Sequence, residues 1–240
     1  MSVVLITGST SGIGLATARR FAERGDIVVF NSAHSVEAGE HLAESTPHAH
    51  YVQADISSAD DCARLVAYVV DHCGRLDVLV NNAGMTKVIP HHDLEAASVD
   101  VWREIFEVNV FGTWQLSMAA MAALRAGRGS IVNVSSIAGL RPAGSSIPYA
   151  ASKAALNHMT ALLAKVVGPE VRVNAVAPGA IDTPWWTQDW DKVRVSVERA
   201  APLHRTGTPD DVANVILALV EASYVTGQVV TVDGGLTIAT

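Results

Sequence analysis

Two rhythms of apolar residues alternate along this chain. Short runs rich in Val, Ile and Leu fall at VVLIT (3–7), IVVFN (27–31), YVQAD (51–55), DVLVNN (77–82), SIVNVSS (130–136), VRVNAVAP (171–178) and QVVTVDG (228–234). Between them lie segments with helical spacing of apolar positions. These run from Gly12 to about Arg24, over 35–45, over 58–73, from near Val99 to Arg125, from Pro148 onward, and from Pro209 to about Val220. Residues after Pro178 and before Pro209 read as a longer irregular part. Runs that are apolar at consecutive positions are buried on both faces, as in a parallel sheet covered by helices. The alternation of such runs with helices predicts an α/β fold. It is a Rossmann-type doubly wound parallel sheet of about seven strands, with helices on both faces. No linker, repeat or low-complexity segment divides it, so residues 1–240 read as one domain.

Composition narrows the function. The chain has 240 residues, 49% of them apolar and 17% charged, enough to bury a large core. Its net charge of -7 argues against a nucleic-acid partner. No apolar run is long enough to span a bilayer, so no membrane role is expected. The apolar SVVLI (2–6) has no basic segment before it and runs straight into TGSTSG, so it reads as a first strand rather than a signal peptide. Cys62 and Cys73 fall in one predicted helix. A rise of about 1.5 Å per residue separates their Cα atoms by roughly 16 Å, beyond disulfide reach. Free thiols fit a reducing cytoplasm. The nine histidines show no metal-ligand spacing, and His91 and His92 are adjacent and point apart, so no metal site is expected.

Two stretches carry candidate chemistry. TGSTSGIG (7–14) places Gly8, Gly12 and Gly14 between the first strand and the first helix. A loop that brings backbone N–H groups against a pyrophosphate cannot carry Cβ atoms at the contact points, and the following helix turns its positive end to the phosphate. In SSIPYAASKAALNHM (145–159), Tyr149 and Lys153 are four residues apart, on one helical face. They could form a solvated surface pair. They could also form an acid and its tuning cation, since a phenol near ~10 is too weak a base at neutral pH and a nearby ammonium lowers that value.

The glycine loop, NNAG (81–84), NVSS (133–136), YAASK (149–153) and APG (177–179) occur in this order, and YVTGQVVTVDGG (224–235) closes the chain. Together they resemble the short-chain dehydrogenase/reductase family over essentially the whole length. The nearest in character are its β-ketoacyl-carrier-protein reductases and sugar or alcohol dehydrogenases. The resemblance implies hydride transfer between a nicotinamide cofactor and a small carbonyl or alcohol substrate. It implies Tyr149 as general acid/base and Lys153 as its cation, which also bonds the nicotinamide ribose. Ser136 would hold the substrate oxygen, and Asn109 a water linked to the lysine. Ser135 competes with Ser136, but neighbours on a strand point to opposite faces, and the family spacing favours Ser136.

For the cofactor the resemblance implies contacts from Gly8, Thr10, Ser11, Gly12, Ile13 and Gly14. It adds Asp55 and Ile56 after the third strand, where Asp55 could instead cap the next helix. It further adds Asn82, Ala83 and Gly84, then Pro178, Gly179, Ile181 and Thr183. After the second strand, NAD users carry an acid for the ribose hydroxyls. This chain reads FNSAHS (30–35), with no acid, and His34 stands where NADP users often have arginine. Ser11 is likewise not the basic residue frequent in NADP users. Ser32 and His34 remain as donors to a 2′-phosphate, so NADP(H) is expected to be favoured modestly over NAD(H).

Three of the five tryptophans lie in DTPWWTQDWD (182–191), where the family has a mobile substrate lid, here about 182–205. Trp185 or Trp186 is expected to wall the substrate pocket, or else to pack the lid or a subunit contact. The resemblance also implies a cytoplasmic homotetramer joined through the helices at about 100–125 and 148–166. Two other readings use the same fold. An epimerase or dehydratase would show a different glycine spacing and a longer substrate part. A nucleotide-binding regulator would have lost catalytic residues, and none is lost here.

Overall fold

The computed structural model describes residues 1–186 and 190–239. Seven strands, β1 (Val3–Ile6), β2 (Ile27–Ser32), β3 (Ala49–Gln53), β4 (Val78–Asn81), β5 (Ser130–Val134), β6 (Arg172–Pro178) and β7 (Val229–Val232), form one sheet in the order β3-β2-β1-β4-β5-β6-β7. Every neighbouring pair is parallel. The helices are α1 (Gly12–Glu23), α2 (Val36–Ser45), α3 (Ala59–Cys73), α4 (Val99–Phe106), α5 (Thr113–Gly127), α6 (Ile147–Val167), α7 (Trp190–Ala200) and α8 (Pro209–Glu221).

Strand side chains alternate between two buried layers. On β1, Val3 and Leu5 join Leu65, Leu116, Leu124 and Leu163 from α3, α5 and α6. Val4 and Ile6 point the other way, to Ala18 and Phe21 of α1 and Val212 and Ile216 of α8. Leu79 and Ile131 follow the first set, Val80 and Val132 the second. That is why the strands read as unbroken apolar runs: both faces are covered.

The order reverses between β1 and β4, and open parallel sheets leave a crevice at the carboxyl ends of such strands. The glycine loop, the turn after β4 and the start of α6 all open there.

Three features differ from the sequence-based expectation. The stretch from Val99 to Arg125 is not one uniform helix: a π-helical turn over Glu107–Gly112 separates α4 from α5. The part after β6 contains α7, which was expected to be irregular. Strand β3 runs from Ala49 to Gln53, two residues earlier than the 51–55 run, which leaves Asp55 after the strand as expected. Cys62 and Cys73 both lie on α3, free, the first buried and the second half-buried. Among the described residues no helix is long and apolar enough to cross a membrane.

Candidate active site

The glycine loop is clamped from two sides. The Thr7 hydroxyl accepts the N–H groups of Asn82 (3.0 Å) and Ala83 (2.9 Å). The Asn82 amide donates back to the Thr7 and Gly8 carbonyls at 2.8 and 2.9 Å. From β2, the Asn31 N–H donates to the Ser9 hydroxyl at 2.9 Å. Gly8 takes φ +59, a conformation side chains rarely adopt, and a Cβ on Gly14 would lie 2.5 Å from the Gly8 carbonyl. Helix α1 then begins after Ser11, whose extended backbone makes no side-chain cap bond. A helix start without a side-chain cap, in front of a glycine cradle, suits an anionic ligand. Thr10, Ser11, Gly12 and Ile13 line its mouth, each half-buried or exposed, and Gly14 is buried beneath it. These residues fit a dinucleotide pyrophosphate.

Helix α6 opens on a cap that the sequence reading did not single out. The buried Ser146 accepts the Tyr149 N–H at 3.4 Å, and Pro148 occupies the first turn, where its missing N–H costs nothing. This fixes the direction in which Tyr149 and Lys153 leave the helix.

The Ser136 hydroxyl accepts the Ala138 N–H at 3.1 Å and lies near the Tyr149 hydroxyl, where it favours the ionised phenol. Ser135 points away, donating to the Lys153 carbonyl at 3.3 Å. Both serines lie past the end of β5, where the backbone at Ser136 is still extended, and their hydroxyls have different partners.

Lys153 is only 4% exposed, and its ammonium donates to the Val134 carbonyl at 2.9 Å. The ammonium lies 5.7 Å from the centre of the Tyr149 ring. The expected lowering of the phenol by this cation is not the dominant effect. Tyr149 is half-buried as a residue, and removal of its hydroxyl from water pushes the phenol up to about 12, with the Ser136 hydroxyl opposing. The same burial pulls Lys153 down from 10.5 to about 8.

Asn109 sits in the π-helical turn, 1% exposed. Its amide donates to the Met85 carbonyl (3.0 Å) and the Ser152 hydroxyl (3.0 Å), and its oxygen accepts the Met85 N–H (2.8 Å). Single-turn π distortions occur often at functional sites because they re-aim one residue. Gly84 must be small here: a Cβ would lie 3.2 Å from the Asn109 oxygen and 3.5 Å from the Lys153 ammonium.

Around the rim, Asp55 accepts the N–H and hydroxyl of Ser57 at 2.9 and 2.8 Å, while Ser58 caps α3. Ile56 is buried, with its carbonyl against Gly112. Ser32 is 6% exposed, and its hydroxyl is bonded to Tyr51 at 2.9 Å. His34 is exposed. Pro178 ends β6, and the Gly179 N–H bonds Val232. Ile181 is buried and bridges Gly207, and Thr183 approaches Gly12, whose Cβ would lie 3.4 Å from the Thr183 methyl. The four catalytic candidates thus meet beside the glycine loop. Ser32 is committed to an internal partner.

The two tryptophans divide. Trp186 donates its indole N–H to the Ile181 carbonyl at 2.8 Å and packs on Trp190 at 5.2 Å. Trp185 is 42% exposed, with its ring centre 6.1 Å from that of Tyr149. Of the expected lid over 182–205, residues 187–189 lie outside the described residues.

Sequence reasoning missed Thr7, Tyr51, Ser146 and Ser152. Only Ser146 left a local signal, a serine two positions before a proline at a helix start. The others act through partners far along the chain.

A family profile described as enoyl-(acyl carrier protein) reductase matches residues 8–237. A Streptomyces violaceoruber protein assigned as ketoacyl reductase 2 of the granaticin polyketide synthase is 59% identical over 237 residues, covering 97% of this chain and 95% of that protein. The 3-oxoacyl-(acyl-carrier-protein) reductase FabG of Thermotoga maritima is 41% identical over 244 residues, with 98% of each chain covered. Among solved structures, a 3-ketoacyl-(acyl-carrier-protein) reductase from Brucella melitensis complexed with NADH superposes with a TM-score of 0.91, at 31% identity over 98% of each chain.

Proposed function

The chain belongs to the short-chain dehydrogenase/reductase family of oxidoreductases, and from that premise we propose that it interconverts a carbonyl and an alcohol with a nicotinamide cofactor. One observation carries the reading. The Ser136 hydroxyl faces the Tyr149 phenol closely enough to favour its ionised form, so one substrate oxygen placed between them would meet both. Two donors at one oxygen suit a carbonyl that becomes an alcohol. When bound, the nicotinamide supplies or takes the hydride. Ser136 holds and polarises the substrate oxygen. Tyr149 gives its proton to that oxygen in reduction and takes it back in oxidation. Lys153 places a positive charge beside the phenol, and Asn109 ties the turn after β4 to α6. The glycine loop, Asn82, Ala83 and Gly84 hold the dinucleotide, with Pro178, Gly179, Ile181 and Thr183 on its nicotinamide side and Asp55 and Ile56 toward the adenine.

NADP(H) is the modestly favoured cofactor in this reading. No carboxylate occupies 31–34 to accept from a ribose or repel a 2′-phosphate. Because Ser32 is bonded to Tyr51, the exposed His34 is the better placed donor. The chain acts as one domain with a substrate lid over about 182–205, in the cytoplasm. Its helices leave Phe111, Trp114, Leu162 and Val166 exposed at 50%, 45%, 53% and 68%, surfaces that a homotetramer would cover.

The test is oxidation of NADPH and NADH against ketones, acyl thioesters and sugars. A protein that binds cofactor yet turns over no carbonyl or alcohol would refute the reading.

A further inference from the structure

The turn that carries the tryptophans is built so that one indole anchors and the other faces out. Thr183 organises it: its hydroxyl accepts the Trp185 N–H at 3.4 Å and its carbonyl accepts the Trp186 N–H at 3.3 Å. The Thr183 methyl also packs toward Gly12, which registers the turn against the glycine loop. Trp186 spends its indole N–H on Ile181 and its face on Trp190. Trp185 is left with its ring 6.1 Å from Tyr149, tilted by 47° and 42% exposed. A second apolar side chain, Leu140, is 44% exposed on the segment that runs from Ser136 to α6. The Trp185 indole thus stands partly open beside the proposed proton donor.

We infer that Trp185 is a stacking wall for the substrate, and that the site takes a ketone carried on a planar, unsaturated ring system. The inference rests on the carbonyl-reductase reading above and adds the substrate class. A flexible acyl chain gains little from a single flat wall, because it must lose its own freedom to lie along it. A fused ring arrives rigid and matches the indole face over its whole area, in the offset or tilted geometry that aromatic pairs prefer. Polycyclic ketones satisfy both conditions.

The test compares 2-tetralone with cyclohexanone. Both are six-membered ketones whose carbonyl is not conjugated to an arene, and they differ in one fused benzene ring. The expected result is a kcat/KM about 2- to 12-fold higher for 2-tetralone, the size of one aromatic contact. Trp185→Ala should remove that advantage while cofactor affinity is unchanged, and Trp185→Phe should keep most of it. Equal rates for the two ketones, or an advantage that survives Trp185→Ala, overturns the inference. A parallel loss of cofactor affinity would place Trp185 on the nicotinamide and overturn it too. A second arm needs no turnover: 2-naphthol is titrated into cofactor-loaded Tyr149→Phe protein by calorimetry. Saturable binding that Trp185→Ala abolishes supports the ring site even if no ketone is reduced, in which case the reductase reading alone falls. Absence of 2-naphthol binding in a protein that reduces cyclohexanone leaves the reductase reading standing and removes the ring site.

Discussion

Exchanging Lys153 for methionine takes a charge out of a dry place while keeping most of the side-chain volume. The ammonium is 4% exposed, has the Val134 carbonyl at 2.9 Å, and titrates at about 8 instead of 10.5. In the unfolded chain it returns to its ordinary value. Between pH 8 and 10.5 the unfolded chain therefore holds a proton that the folded protein has released, and stability rises with pH across that window. The whole effect is about 3 kcal/mol, and about 2 kcal/mol of it develops between roughly pH 7 and 9.5. Higher pH is avoided because Tyr149, raised from 10.0 to about 12, contributes with the opposite sign there: it loses stability as pH climbs through that range.

The assay is urea unfolding of both proteins at fixed protomer concentration, at steps from about pH 7 to 9.5, with wild type subtracted from variant at each step. Groups common to both proteins and remote from Lys153 cancel, and Tyr149, which is not remote, titrates above the range used. The orphaned Val134 carbonyl adds an offset of about 1 kcal/mol or more against the variant, but that offset does not change with pH. The variant's relative stability should fall by about 2 kcal/mol as pH rises. A flat difference would mean that Lys153 is solvated in the folded protein and that the burial argument is wrong.

Four further outcomes are expected. Tyr149→Phe should lower turnover by about 10²–10⁴-fold with cofactor affinity intact by calorimetry, since only the proton donor is lost; near-normal turnover sinks the assignment. Gly39→Ala should destabilise by about 1–3 kcal/mol in thermal unfolding despite better helix propensity, because its Cβ would lie 2.1 Å from a Tyr51 ring carbon; an unchanged midpoint would show that Tyr51 is not packed under α2. The kcat/KM ratio of NADPH to NADH should exceed one and shrink in His34→Ala; a clear NADH preference or indifference to His34 refutes that part. Light scattering at micromolar concentration should give a tetramer, and a monomer would leave Phe111 and Trp114 without the cover proposed for them.

How much of this was legible depends on the range over which each residue acts. The strands were readable because burial on both faces leaves no polar interruption from Val3 to Ile6 or from Val28 to Phe30. Helix α7 was not. Its apolar residues Val193, Val195 and Val197 recur two apart with polar residues between, a strand-like rhythm, and only Val197 is buried. The π-helical turn left no trace because the apolar spacing runs through it unchanged. Tyr149, Lys153 and Ser136 were readable from spacing along one helix and one strand. Ser152 and Tyr51 were not, since their partners Asn109 and Ser32 lie 43 and 19 residues away. The same distance hid the fact that Ser32 is occupied, which moved the cofactor argument onto His34.

The shifts of Tyr149 and Lys153 have one cause and partly cancel in use. Burial opposes charge on each, so the resting pair favours a neutral phenol and an ammonium that is only weakly held. Ionising the phenol places an anion beside the ammonium, and each charge then relieves the cost of the other. The cation expected to lower the phenol therefore acts chiefly once the proton has left. A donor near 12 stays protonated at neutral pH, yet it is far more acidic than an aliphatic alcohol, so it yields its proton readily to an oxygen becoming an alkoxide. In the proposed reaction that is the protonation state reduction requires at the outset. Oxidation must first empty the phenol, so its rate should climb with pH where that of reduction does not.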